Sequence, residues 1–335
     1  MTNSDNAFAP LDSLPEAARI RSKRLSDGVA TIIADATGLS AGERKALEER
    51  LKSAVASLPG IREARVGLTA SEPSRKLVAV ASGKGGVGKS TLAANLAIAI
   101  ARTGRKVGLI DADVYGPSQT KLLGTDERPT ADEKRLNPVQ AHGIRFLSLG
   151  QLVSPGHAHA WRGPMASGAL AQLVEADWGD CEILVVDLPP GTGDVQLSLA
   201  QKSRPDGAVI VSTPQALSLI DATRAIDLFG KVSVPVIGLV ENMSGFLCPH
   251  CGERSDPFGS GGAEEAAEAL GIPFLGRIPL DQSIREASDA GTPPAATAGP
   301  QSDAFAAIAR KVLAALETPP AGKHSPVEEI ADAAN

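Results

Sequence analysis

The chain has 335 residues, a formal net charge of −6 and three cysteines. This length allows one large domain, or one large and one small, and so few cysteines exclude a disulfide-stabilised secreted scaffold. The negative charge argues against a dedicated DNA-binding protein, and no run reaches the ~18 apolar residues that a membrane span needs. Because the first residues also lack the pattern of a signal peptide, we expect a cytoplasmic protein with no nucleic-acid and no membrane partner.

The first part of the chain indicates a small unit ahead of the main domain. Residues 1–25 are polar, and we expect a flexible, poorly ordered N-terminus there. Residues 26–70 contain a predicted strand in "GVATIIAD", an amphipathic helix in "SAGERKALEERLKSAVASL" and a second strand in "IREARVGLTA". This pattern predicts a small α/β domain, and residues 71–76 are interpreted as a linker.

From residue 77 to residue 317 the apolar pattern predicts alternating strands and helices. The strands are seven aliphatic runs: "LVAVAS", "KVGLID", "IRFLSLG", "EILVVDLP", "GAVIVSTP", "PVIGLVEN" and "FLGRIP". Helical patterns lie at 89–103, 165–176, 195–203, 216–229, 262–270 and 301–316. This alternation predicts right-handed crossovers, and therefore an α/β fold with a doubly wound, mostly parallel sheet. Residues 318–335 lack an apolar face and are predicted to form a disordered tail.

The segment "VASGKGGVGKST" combines the end of a predicted strand, a glycine-rich loop and the start of a helix. Gly83 to Ser90 match the phosphate-binding pattern G-x-x-x-x-G-K-S/T. In this pattern glycines let backbone N–H groups face phosphate oxygens, Lys89 contacts the β and γ phosphates, and the Ser90 hydroxyl binds Mg²⁺. The sequence therefore predicts a nucleotide site with a magnesium ion.

Three aspartates end predicted strands beside this loop. Asp111 and Asp113 end one strand, and Asp187 follows the apolar run "ILVV". Because the carboxyl ends of parallel strands border the phosphate crevice, we expect all three carboxylates there, with Asp187 holding Mg²⁺ through water. Lys84 follows the first glycine of the loop. It is either a solvated loop lysine or a cation that reaches the phosphate of a partner subunit.

Two of the cysteines, Cys248 and Cys251, lie in the segment "NMSGFLCPHCGERSDPFG". A thiol oxidoreductase would need the first cysteine at a helix N-terminus, and the residues that follow do not predict a helix. Two thiolates fall short of the four ligands usual for zinc or an iron–sulfur cluster, so a homodimer could complete either site. The spacing leaves a shared cluster, a shared zinc ion and a structural cysteine pair open. Cys181 is predicted to pack as a small apolar residue.

Six segments together resemble one protein family. They are "GKGGVGKST", "DADVYGPS", "WRGPM", "VVDLPPGTGD", "NMSGFLCPHCG" and "FLGRIPLDQSIREASDAGTP". The extra lysine resembles the deviant Walker A sequence of SIMIBI-type P-loop ATPases, which include MinD, ParA and the nitrogenase iron protein. The set resembles the Mrp/ApbC family of iron–sulfur cluster carrier ATPases across residues 77–317. The 26–70 unit resembles a diverged form of the small domain that often precedes this ATPase.

The resemblance implies roles for individual residues. The ATP-binding loop would comprise Gly83, Lys84, Gly85, Gly86, Val87, Gly88, Lys89, Ser90 and Thr91. Asn242 would bond the adenine, Asp113 would position the attacking water, and Lys84 would act across a homodimer. Cys248 and Cys251 would hold a 4Fe–4S cluster. The implied function is an ATPase that works with cluster scaffold proteins and transfers the cluster to apo iron–sulfur proteins.

Two alternative functions remain open at this point. A positioning ATPase of the MinD/ParA kind needs a basic amphipathic C-terminal helix for membrane binding, or a basic surface for DNA. The end of the chain, "AFAAIARKVLAALETPPAG", has few basic residues, and this function leaves the cysteine pair unexplained. A zinc-stapled regulatory ATPase dimer would use the same thiolates as the cluster carrier.

Overall fold

The computed structural model describes residues 7–39, 41–69, 75–114, 116–132, 135–152, 163–191, 193, 196–198, 201 and 204–317. The chain forms two compact units, Met1–Ser74 and Arg75–Asn335. The predicted tail at 318–335 and part of the helix predicted at 195–203 lie outside the described residues.

Within the described residues, the N-terminal unit is a three-stranded sheet with a helix packed on it. Its elements are β1 (Ile20–Ser26), β2 (Val29–Asp35), helix α1 (Ala41–Ala56) and β3 (Glu63–Thr69). β1 pairs antiparallel, and β3 parallel, with the central β2. Alternate residues of β2, including Ile32 and Ala34, are buried, as are Leu47 and Leu51 of the helix. The alternation makes β2 recognisable from the sequence, and the four-residue spacing of Leu47 and Leu51 does the same for α1.

The N-terminal unit begins earlier than the sequence predicts. Poor order is expected for residues 1–25, but β1 begins at Ile20, and Phe8 and Leu11 belong to the core of the unit. The strand escapes prediction because β1 reads "IRSKRLS", whose residues 21–24 are all polar and exposed. An edge strand of this kind lacks the alternation of apolar and polar residues that identifies a half-buried strand.

The larger unit is built around one large sheet. In chain order its strands are β4 (Lys76–Ala81), β5 (Val107–Asp111), β6 (Thr130–Asp132), β7 (Arg135–Asn137), β8 (Val139–Ala141), β9 (Ile144–Ser148), β10 (Ile183–Asp187), β11 (Gly207–Ser212), β12 (Val236–Glu241), β13 (Phe246–Leu247), β14 (Arg254–Ser255) and β15 (Phe274–Arg277). Over the described residues, eight of them form the sheet β15-β12-β11-β4-β10-β5-β9-β8, in which only the β8–β9 pairing is antiparallel. β6–β7 and β13–β14 are separate hairpins.

Helices cover both faces of this sheet. They are α2 (Lys89–Ala101), α3 (Gln119–Leu122), α4 (Leu149–Leu152), α5 (Gly163–Val174), α6 (Ala216–Lys231), α7 (Gly262–Ala269), α8 (Gln282–Asp289) and α9 (Pro300–Glu317). Apolar residues of α2 and α9 pack with Val78 and Val80 of β4. Those of α5, α6 and α7 pack with Leu77 and Ala79, which point the other way. The doubly wound α/β fold predicted from the sequence is therefore confirmed.

All seven predicted strands of the larger unit are present, and the elements without a prediction are short or polar. The edge strand β8 has three residues, and β13 and β14 have two each. Helix α8 reads "QSIREASD", in which Ile284 and Ser288 are the buried residues. Among the described residues, no helix is long and apolar enough to cross a membrane.

Candidate functional site

The predicted phosphate loop connects β4 to α2, as the motif requires. Gly88 precedes the first residue of α2 with a φ of +85°, and a Cβ there would overlap Asn242 Nδ2. At Gly83, a Cβ would overlap the backbone carbonyl of Asp221 in α6. Glycine is needed at both positions because the backbone conformation or the close approach excludes a side chain. The loop thus ends at a helix N-terminus, where backbone N–H groups can bind an anion.

Lys89 and Asp187 form an ion pair at the base of this loop. Lys89 is 6% exposed and Asp187 is fully buried. The Lys89 ammonium also lies 3.3 Å from Ser90 Oγ. The predicted phosphate-binding lysine, magnesium-binding hydroxyl and strand-end carboxylate therefore belong to one cluster.

Asp111 lies beside Asp187 because β5 and β10 pair in parallel with these two residues in register. The Asp111 carboxylate accepts hydrogen bonds from the backbone N–H of Ser118 and Gln119, at 3.0 and 3.1 Å, and from Ser148 Oγ at 2.9 Å. Burial, followed by the charge of Asp187, raises the pKa of Asp111 to about 7. Two adjacent buried carboxylates of this kind favour the approach of a cation.

Gln119, which is absent from the predicted site, joins these groups. Its Nε2 donates to Asp187 Oδ2 at 2.8 Å and to the Ser90 carbonyl at 3.0 Å. Its Oε1 is buried and has no hydrogen-bond partner among the described residues. The groups that converge here, a hydroxyl, two carboxylates and an amide oxygen, are all hard oxygen donors, which fits Mg²⁺. No sequence signal marks Gln119, since a glutamine in a short helix is ordinarily exposed.

Asp113 and Lys84 lie at the edge of this cluster. Asp113 is 8% exposed, and its Oδ1 accepts from the backbone N–H of Gly116 at 3.1 Å. The Lys84 carbonyl accepts from Ser82 Oγ at 2.9 Å. The Lys84 side chain is half-buried and has neither a hydrogen bond nor an ion pair to the described part of the chain. None of the described residues therefore holds the Lys84 ammonium group.

Asn242, directly after β12, contacts the phosphate loop. Its Nδ2 donates to the Val87 carbonyl at 2.8 Å. A cavity of about 260 Å³ adjoins it, lined by Gly88 and Thr91 on one side and by residues such as Pro279 on the other. The structure thus places a mostly apolar pocket with an amide group next to the phosphate loop.

The two cysteines lie at the tip of the β13–β14 hairpin. The Cys248 N–H donates to the Glu253 carbonyl at 3.0 Å, and the Gly252 N–H donates to the Cys248 carbonyl at 2.8 Å. Hydrogen bonds from the backbone N–H groups of Cys251 and His250, then from the Cys251 thiol, lower the pKa of Cys248. The two thiols therefore lie side by side, and the thiolate form of Cys248 is stabilised, as a metal–thiolate site requires.

This geometry disfavours two of the interpretations of the cysteine pair, the buried structural pair and the thiol oxidoreductase. Cys251 is exposed and Cys248 half-buried, which disfavours a buried structural pair, and β14 rather than a helix follows them. Within the described residues, no group of three or more His, Cys, Asp or Glu is arranged for a metal ion. Each chain thus offers two thiolates. Cys181 is buried, as predicted, and burial raises its pKa.

Exposed apolar side chains lie near both sites. Leu217 and Ile220 of α6 are 73% and 51% exposed, and Leu247 and Phe258 of the hairpin region are 67% and 39% exposed. We call these four residues the exposed apolar set. Gly83 packs on α6, and Gly262, the first residue of α7, packs on the Pro214 carbonyl just before α6. The α6 region therefore contacts both the phosphate loop and the start of α7, the helix that follows the cysteine hairpin.

Comparison with known proteins places this chain in a family. A family model described as ParA, NUBPL iron-transfer P-loop NTPase, matches residues 74–313. A Deinococcus radiodurans protein named iron-sulfur cluster carrier protein is 47% identical over 301 residues, which cover 86% of this chain and 85% of that protein. The protein of the same name from Escherichia coli (strain K12) is 47% identical over 271 residues, 80% of this chain and 72% of that protein.

Solved structures show the same fold. A nucleotide-binding protein from Archaeoglobus fulgidus, in complex with ADP, is 40% identical with a TM-score of 0.58 and covers 65% of this chain and 86% of that chain. The cell division ATPase MinD of Pyrococcus furiosus, 22% identical with a TM-score of 0.56, covers 71% of this chain and 98% of its own. The phosphate loop, its carboxylates and the family match lie in the same unit, and the chain belongs to the NUBPL iron-transfer P-loop NTPase family.

Proposed function

We propose that the protein is an ATPase that carries a 4Fe–4S cluster, held by Cys248 and Cys251 of two copies of the chain, and transfers it to apo iron–sulfur proteins. The observation that carries the proposal is the pair of sites in one unit: a phosphate loop with buried carboxylates, and a hairpin that carries two cysteines, neither of them buried. The names of the bacterial relatives support an iron–sulfur cluster as the cargo.

The nucleotide half of the proposal follows from the group of side chains around Lys89. The backbone N–H groups of the loop and the Lys89 ammonium would bind the ATP phosphates, so Lys89 would exchange Asp187 for a phosphate oxygen. Ser90 Oγ would hold Mg²⁺ together with Asp111 and Asp187, and the bound ion would neutralise charge on the β and γ phosphates. Asp113, at the end of the same strand as Asp111, would position the attacking water.

Asn242 and the cavity beside it would bind the base. The amide nitrogen of Asn242 is committed to the Val87 carbonyl, so its amide oxygen is the atom that can accept from the exocyclic amino group of adenine. Guanine presents a carbonyl at the corresponding position, which would meet that oxygen acceptor to acceptor. We therefore expect ATP rather than GTP as the substrate.

The cluster half follows from the cysteine hairpin. Thiolate sulfur favours iron–sulfur clusters or zinc over hard cations, and both usually take four ligands. Two hairpins related by a two-fold axis would supply four thiolates, and a site at the axis would be exposed and removable, as cargo must be. The same symmetry would bring the exposed apolar set of two chains together and let Lys84 of one chain reach the nucleotide of the other.

Transfer to an acceptor tests this function. Anaerobically loaded protein, mixed with the apo form of an enzyme that needs a 4Fe–4S cluster, should restore that enzyme's activity as its own visible absorbance declines. Cys248→Ser should neither load nor transfer, whereas Cys181→Ser, at a buried position away from the hairpin, should do both. Protein that takes up zinc but never a cluster with visible absorbance would instead support the zinc-stapled dimer.

A further inference from the structure

Gln119 makes contacts that the proposed nucleotide site does not use. Its side chain is fully buried, and its Nε2 donates to Asp187 Oδ2 at 2.8 Å and to the Ser90 carbonyl at 3.0 Å. Both of these oxygens can only accept hydrogen bonds, so the amide cannot be turned around. The atom without a partner among the described residues is therefore Oε1, an acceptor.

A buried amide oxygen without a donor is costly and rare in native proteins. Its position next to Ser90 and Asp187 limits what that donor can be. A phosphate oxygen is itself an acceptor and would be repelled, and the Lys89 ammonium is paired with Asp187 or, in the proposed function, with a phosphate. A water molecule in the hydration shell of Mg²⁺ is the donor that suits this position, because Mg²⁺ usually keeps several waters in protein sites.

We propose that Gln119 is a positioning residue of the Mg²⁺–nucleotide site. Its Oε1 accepts a hydrogen bond from a water of the hydrated Mg²⁺, and its Nε2 keeps Asp187 in place when Lys89 turns to a phosphate. The inference rests on the proposed nucleotide site, but it concerns a residue that the phosphate-loop motif does not contain. Loss of the Gln119 side chain should therefore weaken nucleotide binding in the presence of Mg²⁺ and leave nucleotide binding without Mg²⁺ nearly unchanged.

The test measures the affinity for a fluorescent ATP analogue over a range of Mg²⁺ concentrations and in EDTA. For Gln119→Leu, we expect the affinity in EDTA to stay within about twofold of the parent. The Mg²⁺ concentration that gives half of the full increase in affinity for the analogue should rise roughly tenfold, as the loss of one or two hydrogen bonds implies. Gln119→Asn, which keeps the amide but withdraws it by one methylene, should change the requirement in the same direction if the leucine variant fails to fold.

Gln151→Leu is the matched control. Gln151 also lies in a short helix, but its Oε1 accepts from the Ser148 N–H at 2.8 Å and its Nε2 donates to the Glu127 carbonyl at 2.9 Å. An unchanged magnesium requirement in both Gln119 variants, or an equal rise in Gln151→Leu, would overturn the inference. Parent protein that fails to bind the analogue at any Mg²⁺ concentration would refute the proposed nucleotide site, and this inference with it.

Discussion

In the structure, the ammonium group that would contact a phosphate, that of Lys89, is paired with the buried carboxylate of Asp187. Separating a buried ion pair leaves two uncompensated charges, which is strongly unfavourable unless new partners take over. In the proposed complex the phosphate replaces Asp187 as the partner of Lys89, and Mg²⁺ replaces Lys89 as the partner of Asp187. Since each replacement favours the other, Mg²⁺ should strengthen nucleotide binding, and nucleotide should strengthen Mg²⁺ binding.

Replacing Lys89 tests this exchange. Lys89→Ala removes the cation at the β and γ phosphates, and we expect Mg²⁺-dependent ATP hydrolysis to fall by about 100-fold or more. Phosphate release at saturating Mg²⁺–ATP measures the effect. The exposed Lys231, at the end of α6, provides the control, and Lys231→Ala should keep the parent rate. Hydrolysis by Lys89→Ala at the parent rate would show that the nucleotide site is misassigned.

The residues of the phosphate loop could be predicted because their pattern is contiguous and local. Gly83, Lys89 and Ser90 are specified by spacing alone, and a strand and helix on either side confirm the context. Gln119 could not be predicted in this way. Its role arises only when the segment after β5 brings a polar side chain under the loop, a contact between residues 29 positions apart in the chain.

One buried carboxylate, that of Glu241, binds both ends of the segment that carries the cysteines. Glu241, the buried last residue of β12, accepts from Ser244 Oγ at 2.6 Å and from the N–H groups of Gly261 and Ala263 at 3.0 and 2.8 Å. Both ends of the hairpin segment are thus tied to one side chain. Burial acts to raise the pKa of Glu241, but the hydrogen bonds from Ser244, Gly261 and Ala263 outweigh it and lower the pKa.

Glu241→Gln tests this anchor. Hydrogen bonds to a charged group are stronger than neutral ones, so we expect the variant to lose about 2 kcal/mol of unfolding free energy at pH 7. The pKa of Glu241 is lower in the folded protein than in the unfolded chain, where it is near 4.5. The carboxylate therefore stabilises the fold fully at pH values above the unfolded pKa, and this stabilisation is lost as the pH falls through the lower folded pKa. Urea unfolding should therefore show a gap between parent and variant that narrows below that pH. An equal difference in unfolding free energy at pH 7 and at the lower pH would contradict the role of the ionised carboxylate.

The last helix bears on the alternative of a membrane-positioning ATPase. Phe305, Ile308 and Val312 of α9 are buried in the core of the larger unit. A helix that uses its apolar face to cover the sheet does not offer that face to a membrane surface. The sequence predicted this helix from its periodicity, but only the packing shows where its apolar face lies.

At the scale of the whole molecule, the account requires two copies of the chain. One chain would supply two of the four ligands that the proposed site needs, and the exposed apolar set comprises residues of α6 and of the hairpin region. The sequence alone could predict that one chain has too few thiolate ligands for the site, because the cysteines can be counted. It could not predict which surface meets the partner, since exposure of Leu217 and Leu247 depends on the folded structure.

Mixing inactive chains tests the role of Lys84 across the dimer. Lys84→Ala chains bind nucleotide but lack the lysine, and Lys89→Ala chains keep Lys84 but lose a phosphate contact. If Lys84 acts on the partner's nucleotide, each mixed dimer holds one complete site, so an equal mixture should recover about a quarter of the parent ATPase activity. If it acts within its own chain, no mixing ratio should restore activity beyond the sum of the two variants.

Native mass spectrometry of anaerobically reconstituted protein shows directly whether two chains share one cluster. We expect a species with the mass of two chains plus one 4Fe–4S cluster. Cys248→Ser should remove the cluster, and Leu217→Glu, which places a charge in the exposed apolar set, should shift the protein towards monomers without a cluster. A cluster bound by a single chain, or dimers that hold zinc in place of iron and sulfide, would contradict the account.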